Sequence, residues 1–202
     1  MDEPLTPEEQ QILLDIARRA LEAAARGERL PHIDLAALPA RLQQPGAAVG
    51  TLTRRGQLRG CIGALEPQQP LALDVRDHAA AAGMEDFRFP PVQPGELPEI
   101  EIEVSALTLP QEVEYDSPAE LIGKLRPGVD GVTLIDGRRR ATFLPQVWEK
   151  LPAPELFLAH LCEKMGAAAD LWMRKKLRVQ TYQVEEFHEG AQAKRAGGCS
   201  DL

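Results

Sequence analysis

The stretch Pro98-Glu99-Ile100-Glu101-Ile102-Glu103-Val104-Ser105-Ala106 alternates apolar and polar side chains. Successive side chains of a strand point to opposite faces, so Ile100, Ile102 and Val104 are read as facing a core and Glu101, Glu103 and Ser105 as facing the other way. Ala47–Leu52 and Leu58–Ile62, joined through Thr53-Arg54-Arg55-Gly56-Gln57, read as a hairpin. Val132–Ile135 and Ala141–Leu144 flank Asp136-Gly137 and read as a second hairpin with a long loop. The hairpins on either side of the alternating strand point to an antiparallel or mixed sheet rather than to repeated βαβ units.

Helices fill the intervals. Thr6-Pro7-Glu8-Glu9 supplies a capping hydroxyl, a proline at the first helical position and a glutamate three residues after the cap, which predicts a helix to about Ala25. Leu71, Val75, Ala79 and Ala82 mark a second helix with Gly83 at its end, and Ser117 caps a third through about Lys124. Pro154 to Met165 gives a fourth, stopped by Gly166, and a final strand is expected from about Leu177 to Val184. The proline-rich interval Met84 to Pro98 is read as a connection, and Gly190 to Leu202 as a tail. The fold class is α+β.

With Lys plus Arg at 23 and Asp plus Glu at 31, the chain carries a net charge of −8, and aromatics are 4% of its 202 residues. Nucleic-acid affinity rests on clustered positive charge and stacking platforms, so no nucleic-acid partner is expected; Arg138-Arg139-Arg140 and Arg174-Lys175-Lys176 are read as solvated faces. The acidic start Met1-Asp2-Glu3-Pro4 does not fit an export signal and no apolar run is long enough for a membrane helix, so the expected location is cytoplasmic. Cys61, Cys162 and Cys199 are widely spaced and read as reduced thiols. No nucleotide loop or metal-ligand spacing occurs, so neither cofactor nor metal is expected.

Leu58-Arg59-Gly60-Cys61-Ile62-Gly63 is the most unusual segment, because glycine in a strand usually marks a bulge or a close backbone approach. Alternation puts Arg59, Cys61 and Gly63 on one face, where the Arg59 guanidinium would favour the nucleophilic thiolate of Cys61. The alternative, that Cys61 is a small packing residue between glycines, stays open. Gly60 and Gly63 are candidates for substrate approach, and Arg88 for bidentate binding of a carboxylate or phosphate, with pairing to Asp86 or Glu85 as its alternative; Glu101 and Glu103, if their strand lies beside that of Cys61, are candidates to orient a base or hold Arg59, with a solvated strand face as the alternative. His78 is the histidine nearest Cys61 in sequence, but it shares a helix with Leu71 and Val75 and reads as a half-buried packing residue. Cys162 and His160 fall on the core and solvent sides of the fourth helix.

Leu58 to Gly63 resembles the L-R-G-C-I-G signature of the AMMECR domain family, whose bacterial members are called AmmeMemoRadiSam system protein A. Asp86-Phe87-Arg88-Phe89-Pro90-Pro91 is similar to that family's D-x-R-F-P-P, Ile102-Glu103-Val104-Ser105 to its I-E-V-S and Phe143-Leu144-Pro145-Gln146-Val147-Trp148 to its F-L-P-Q-V-W. The likeness runs from about Leu13 to Glu189, and Gly50 and Met165 depart from the residues expected there. It implies one AMMECR-like domain over residues 1–189 made of two lobes around an antiparallel sheet, with 190–202 as tail. It also implies a Memo-like protein and a radical S-adenosylmethionine (radical SAM) protein as partners, and it implies no particular reaction. Two functions follow: an enzyme or enzyme component using Cys61 on an unknown small molecule, or a non-catalytic binding module with a structural Cys61.

Overall fold

The computed structural model describes residues 4–190, and its chain divides into two compact units, Met1–Leu107 with Glu185–Leu202 and Thr108–Val184. In the first unit α1 (Pro7–Ala25) starts where its sequence requires: the Thr6 hydroxyl accepts the Glu9 N–H, and the Glu9 carboxylate accepts the Thr6 N–H. β1 (Pro45–Arg54) and β2 (Gln57–Gly63) pair antiparallel down to Arg54 opposite Gln57. The turn is therefore only Arg55-Gly56, both at positive φ (53° and 76°), as a two-residue hairpin with the strands' own twist needs. β3 (Gln69–Pro70) leads into α2 (Leu71–Met84), and β4 (Ile100–Leu107) pairs with β1 over its whole length.

The expected alternation of β4 is observed. Ile100, Ile102 and Val104 are buried in one core with Leu13, Ile16 and Leu21 of α1 and Val75, Ala79 and Ala82 of α2. Gly83 lies inside the last turn of α2 instead of ending it, because a Cβ there would stand 2.5 Å from Leu21 Cδ1. The glycine lets the two helices approach rather than stopping one of them.

The second unit holds β5 (Gln111–Glu112), α3 (Pro118–Lys124), β6 (Gly131–Asp136), β7 (Arg139–Phe143), α4 (Pro154–Lys164), α5 (Leu171–Arg174) and β8 (Arg178–Tyr182). Its sheet runs β5-β8-β6-β7, and Asp136 pairs with Arg139. The second hairpin thus closes with the two residues Gly137-Arg138, tighter than the expected long loop. Phe157 of α4 is fully buried and stacks on Trp148 with ring centroids 3.7 Å apart.

The final strand of the sequence reading is two strands. After Tyr182 the chain passes Gln183 and becomes β9 (Val184–His188), which borders β4 in the first unit's sheet, of order β2-β1-β4-β9. Neither glycine nor proline stands between the two strands, so no turn residue marks the exchange of sheets. The two antiparallel sheets with their helices make an α+β fold. Cys199 and residues 191–202 of the expected tail lie outside the described residues.

Candidate functional site

β2 forms the border of the first unit's sheet, and β1 separates it from β4. The face carrying Gly50, Leu52 and Gly60 is covered by α2: a Cβ on Gly60 would lie 2.0 Å from the Ala82 carbonyl oxygen. Gly60 is therefore a packing glycine beneath the helix and offers no surface to a substrate. Gly63 permits close packing on β1, since its Cβ would meet the Ala48 oxygen at 2.5 Å. Cys61 alternates with Gly60 and turns to the far side, away from α2 and hence from His78. A Cys61–His78 pair is excluded by the sheet between them; His78 Nδ1 instead meets the buried Asp74 carboxylate at 3.0 Å, which raises its pKa.

On the far side the register brings Cys61, Thr51 and Glu103 into one row across β2, β1 and β4, with Glu101 opposite Thr53. The Cys61 N–H and carbonyl point outward from the sheet, so Cys61 and Thr51 form the type of antiparallel pair in which side chains approach most closely. The Thr51 hydroxyl donates to Cys61 Sγ at 3.5 Å. Glu101 and Glu103 share the thiol's face, yet a whole strand lies between them and β2, and they do not hold Arg59.

The outward backbone groups of Cys61 are taken up by the loop after α2. The Cys61 N–H donates to Asp86 Oδ2 at 2.8 Å, and Arg88 Nη2 reaches the Cys61 carbonyl at 3.4 Å. Arg88 also holds Asp86 through Nε (2.9 Å) and Nη2 (2.6 Å), while its backbone N–H donates to Oδ1 at 3.1 Å. The Asp86 side chain is only 4% exposed. The Arg88 guanidinium, helped by the N–H groups of Cys61 and Arg88, holds its carboxyl far below the usual carboxylate range. Arg88 is raised in turn, first by Asp86 and then by the nearby Cys61 thiol. The expected anion-binding arginine is therefore occupied by an internal carboxylate and stands beside the cysteine.

Arg59 departs from the expected alternation. The β1–β2 register slips between Leu52 and Thr53, opposite Leu58 to Gly60, so the bulge takes Arg59 out of the Cys61 row. Its Nε and Nη2 both donate to Glu96 at 3.0 Å, and Arg59 holds the Glu96 carboxyl down at about 2. The guanidinium is committed to that bidentate pair and not to the thiol. The pairing of Arg88 with Asp86 is the alternative that the sequence left open, whereas Thr51 and the bond from the Cys61 N–H to Asp86 were missed; the available signal for Thr51 was the threonines alternating along β1.

Elsewhere Cys162 is fully buried and His160 exposed, as expected from the helix face. Four of the basic residues are paired locally, Arg139 and Lys175 with Asp136, Arg174 with Asp170, and Lys176 with Asp116. Among the described residues no helix is long and apolar enough to cross a membrane, and no three His, Cys, Asp or Glu gather to hold a metal ion.

The AMMECR1 family model matches residues 14–187. A protein of Methanothermobacter thermautotrophicus is 40% identical over 194 residues, covering 92% of this chain and 97% of the relative. One from Thermofilum pendens is 38% identical over 199 residues, covering 92% of each. The crystal structure of the uncharacterised protein PH0010 from Pyrococcus horikoshii superposes with a TM-score of 0.73 at 32% identity, covering 92% of this chain and 94% of that one.

Proposed function

The chain belongs to the AMMECR1 family, and from that footing we propose that Cys61 is the covalent nucleophile of a small-molecule enzyme or enzyme component. The observation that carries this reading is the two-sided support of one residue. Cys61 accepts a hydrogen bond from Thr51 at its sulfur, while the buried Asp86 and its partner Arg88 fix its backbone. Packing cysteines need no such support. Arg88 supplies the positive charge beside the sulfur, where the thiolate is the attacking form. Glu103 and Glu101 line the same face two strands away and receive the part of the substrate remote from the reacting atom. The protein works in the cytoplasm with a Memo-like and a radical SAM partner.

The test is the rate of iodoacetamide alkylation of each cysteine in the folded protein, read by peptide mass spectrometry. Cys61 reacts fast in the native state and slows in Arg88→Ala, whereas Cys162 reacts only on unfolding. A Cys61 that waits for unfolding would overturn the nucleophile. A second reading, a docking module for the same partners, is favoured by Phe87. That ring is 96% exposed on the loop tied down by Asp86 and Arg88, the setting of an interface anchor. Under it, Phe87→Ala weakens a co-purified complex and Cys61→Ser does not.

A further inference from the structure

Arg59 and Arg88 exchange the parts that the sequence suggests for them. Arg88 is closed around Asp86, but Arg59 keeps a donor in hand: its side chain is 11% exposed and Nη1 is buried with no hydrogen-bond partner. Guanidinium nitrogens only donate, so whatever satisfies Nη1 must bring an oxygen lone pair. Arg59 also lines a surface cleft of about 490 Å³ with Arg54, Leu58, Phe89, Pro90 and Gln93 among its walls. One side of that cleft is apolar. The other belongs to a network in which Arg54, Arg55 and Arg59 face Glu96 and Glu99, three positive charges against two negative.

We propose that this cleft is a carboxylate site: the Arg59 guanidinium, with Arg54 beside it, takes the carboxylate of a small molecule whose apolar portion lies on Phe89, Pro90 and Leu58. A monoanion matches the single unmatched charge of the network. The site rests on, and deepens, the reading of Cys61 as nucleophile. Arg59 stands two residues from Cys61 on β2, which names the substrate class as a carboxylic acid.

Two probes separate the site from the nucleophile. Sodium benzoate, titrated into the ¹⁵N-labelled full chain with chloride adjusted to constant ionic strength, moves the amide signals of Leu58, Arg59 and Gln93 saturably. Inorganic phosphate does not. Arg59→Gln weakens the benzoate response about tenfold or more. Because that change strands Glu96, Arg59→Gln/Glu96→Gln is measured beside it and behaves alike. Absence of saturation, or an unchanged response in the double variant, overturns the site. The second probe compares Cys61 labelling by N-(4-carboxyphenyl)maleimide and N-phenylmaleimide. The charged reagent is preferred in the native protein, and the preference vanishes in the double variant although Arg88 is intact. Benzoate binding with an inert Cys61 sinks the nucleophile and keeps the site. A reactive Cys61 without preference and without benzoate binding does the reverse.

Discussion

Cys61 and Cys162 carry the same side chain into opposite surroundings. Cys162 lies on α4 in an apolar core with Phe157, Leu158 and Leu161, and burial pushes its thiol up. Cys61 stands at the border of the other unit's sheet, half-buried, held by a hydroxyl, a carboxylate and a guanidinium. Packing fixes the first by excluding water around it. Directional polar contacts fix the second at the half-buried border of a sheet, which is the difference between a cysteine that fills space and one held in place by partners.

The contrast is open to attack at several strengths. Phe157→Ala opens the core around Cys162 and costs about 3–5 kcal/mol. Both tryptophans, Trp148 and Trp172, lie in that unit, so tryptophan fluorescence during denaturation follows it directly. Gly60→Ala forces β2 away from α2 at the Ala82 oxygen and costs about 3 kcal/mol, the upper end for overpacking, read as a lower midpoint by circular dichroism. Next come the thiols themselves. Cys162→Ser buries a hydroxyl and costs about 1–3 kcal/mol, while Cys61→Ser, on the half-buried face, stays within about 0.5 kcal/mol. Equal losses at both sites would make Cys61 a core residue after all.

The smallest effect concerns pH. His78 is held protonated mainly by its hydrogen bond to Asp74, so its folded pKa lies above the ordinary 6.5. The stability it adds is present in full below pH 6.5 and is lost as pH rises through the folded value. His78→Gln flattens that part of the stability profile and leaves Cys61 alkylation unchanged, because the sheet stands between them.

Local signals carried much of the fold into the sequence. The Thr6/Glu9 capping box, the Arg55-Gly56 turn and the alternation of β4 each depend on residues within a few positions of one another. The missed features depend on distant partners. Arg59 leaves its expected face because of a register slip against β1, and Gly83 is explained by Leu21 on another helix. The same applies to the site: Cys61 and the D-x-R segment are visible as motifs, but that Asp86 accepts the Cys61 N–H follows from a loop folding back across 25 positions. The row Cys61–Thr51–Glu103 likewise exists only once three strands are in register.

The path of β9 bears on how the chain is made. Residues up to Leu107 emerge from the ribosome with the outer side of β4 unpaired, and that border is covered only when Val184–His188 follows. Glu189 completes the junction, donating its N–H to the Ile102 carbonyl and accepting both the Ile102 N–H and the Arg18 guanidinium. The second unit is continuous in sequence and is finished first, although it begins later. Synthesis therefore matures the molecule from the middle outward, and the half that carries Cys61 is sealed last, by the final strand among the described residues.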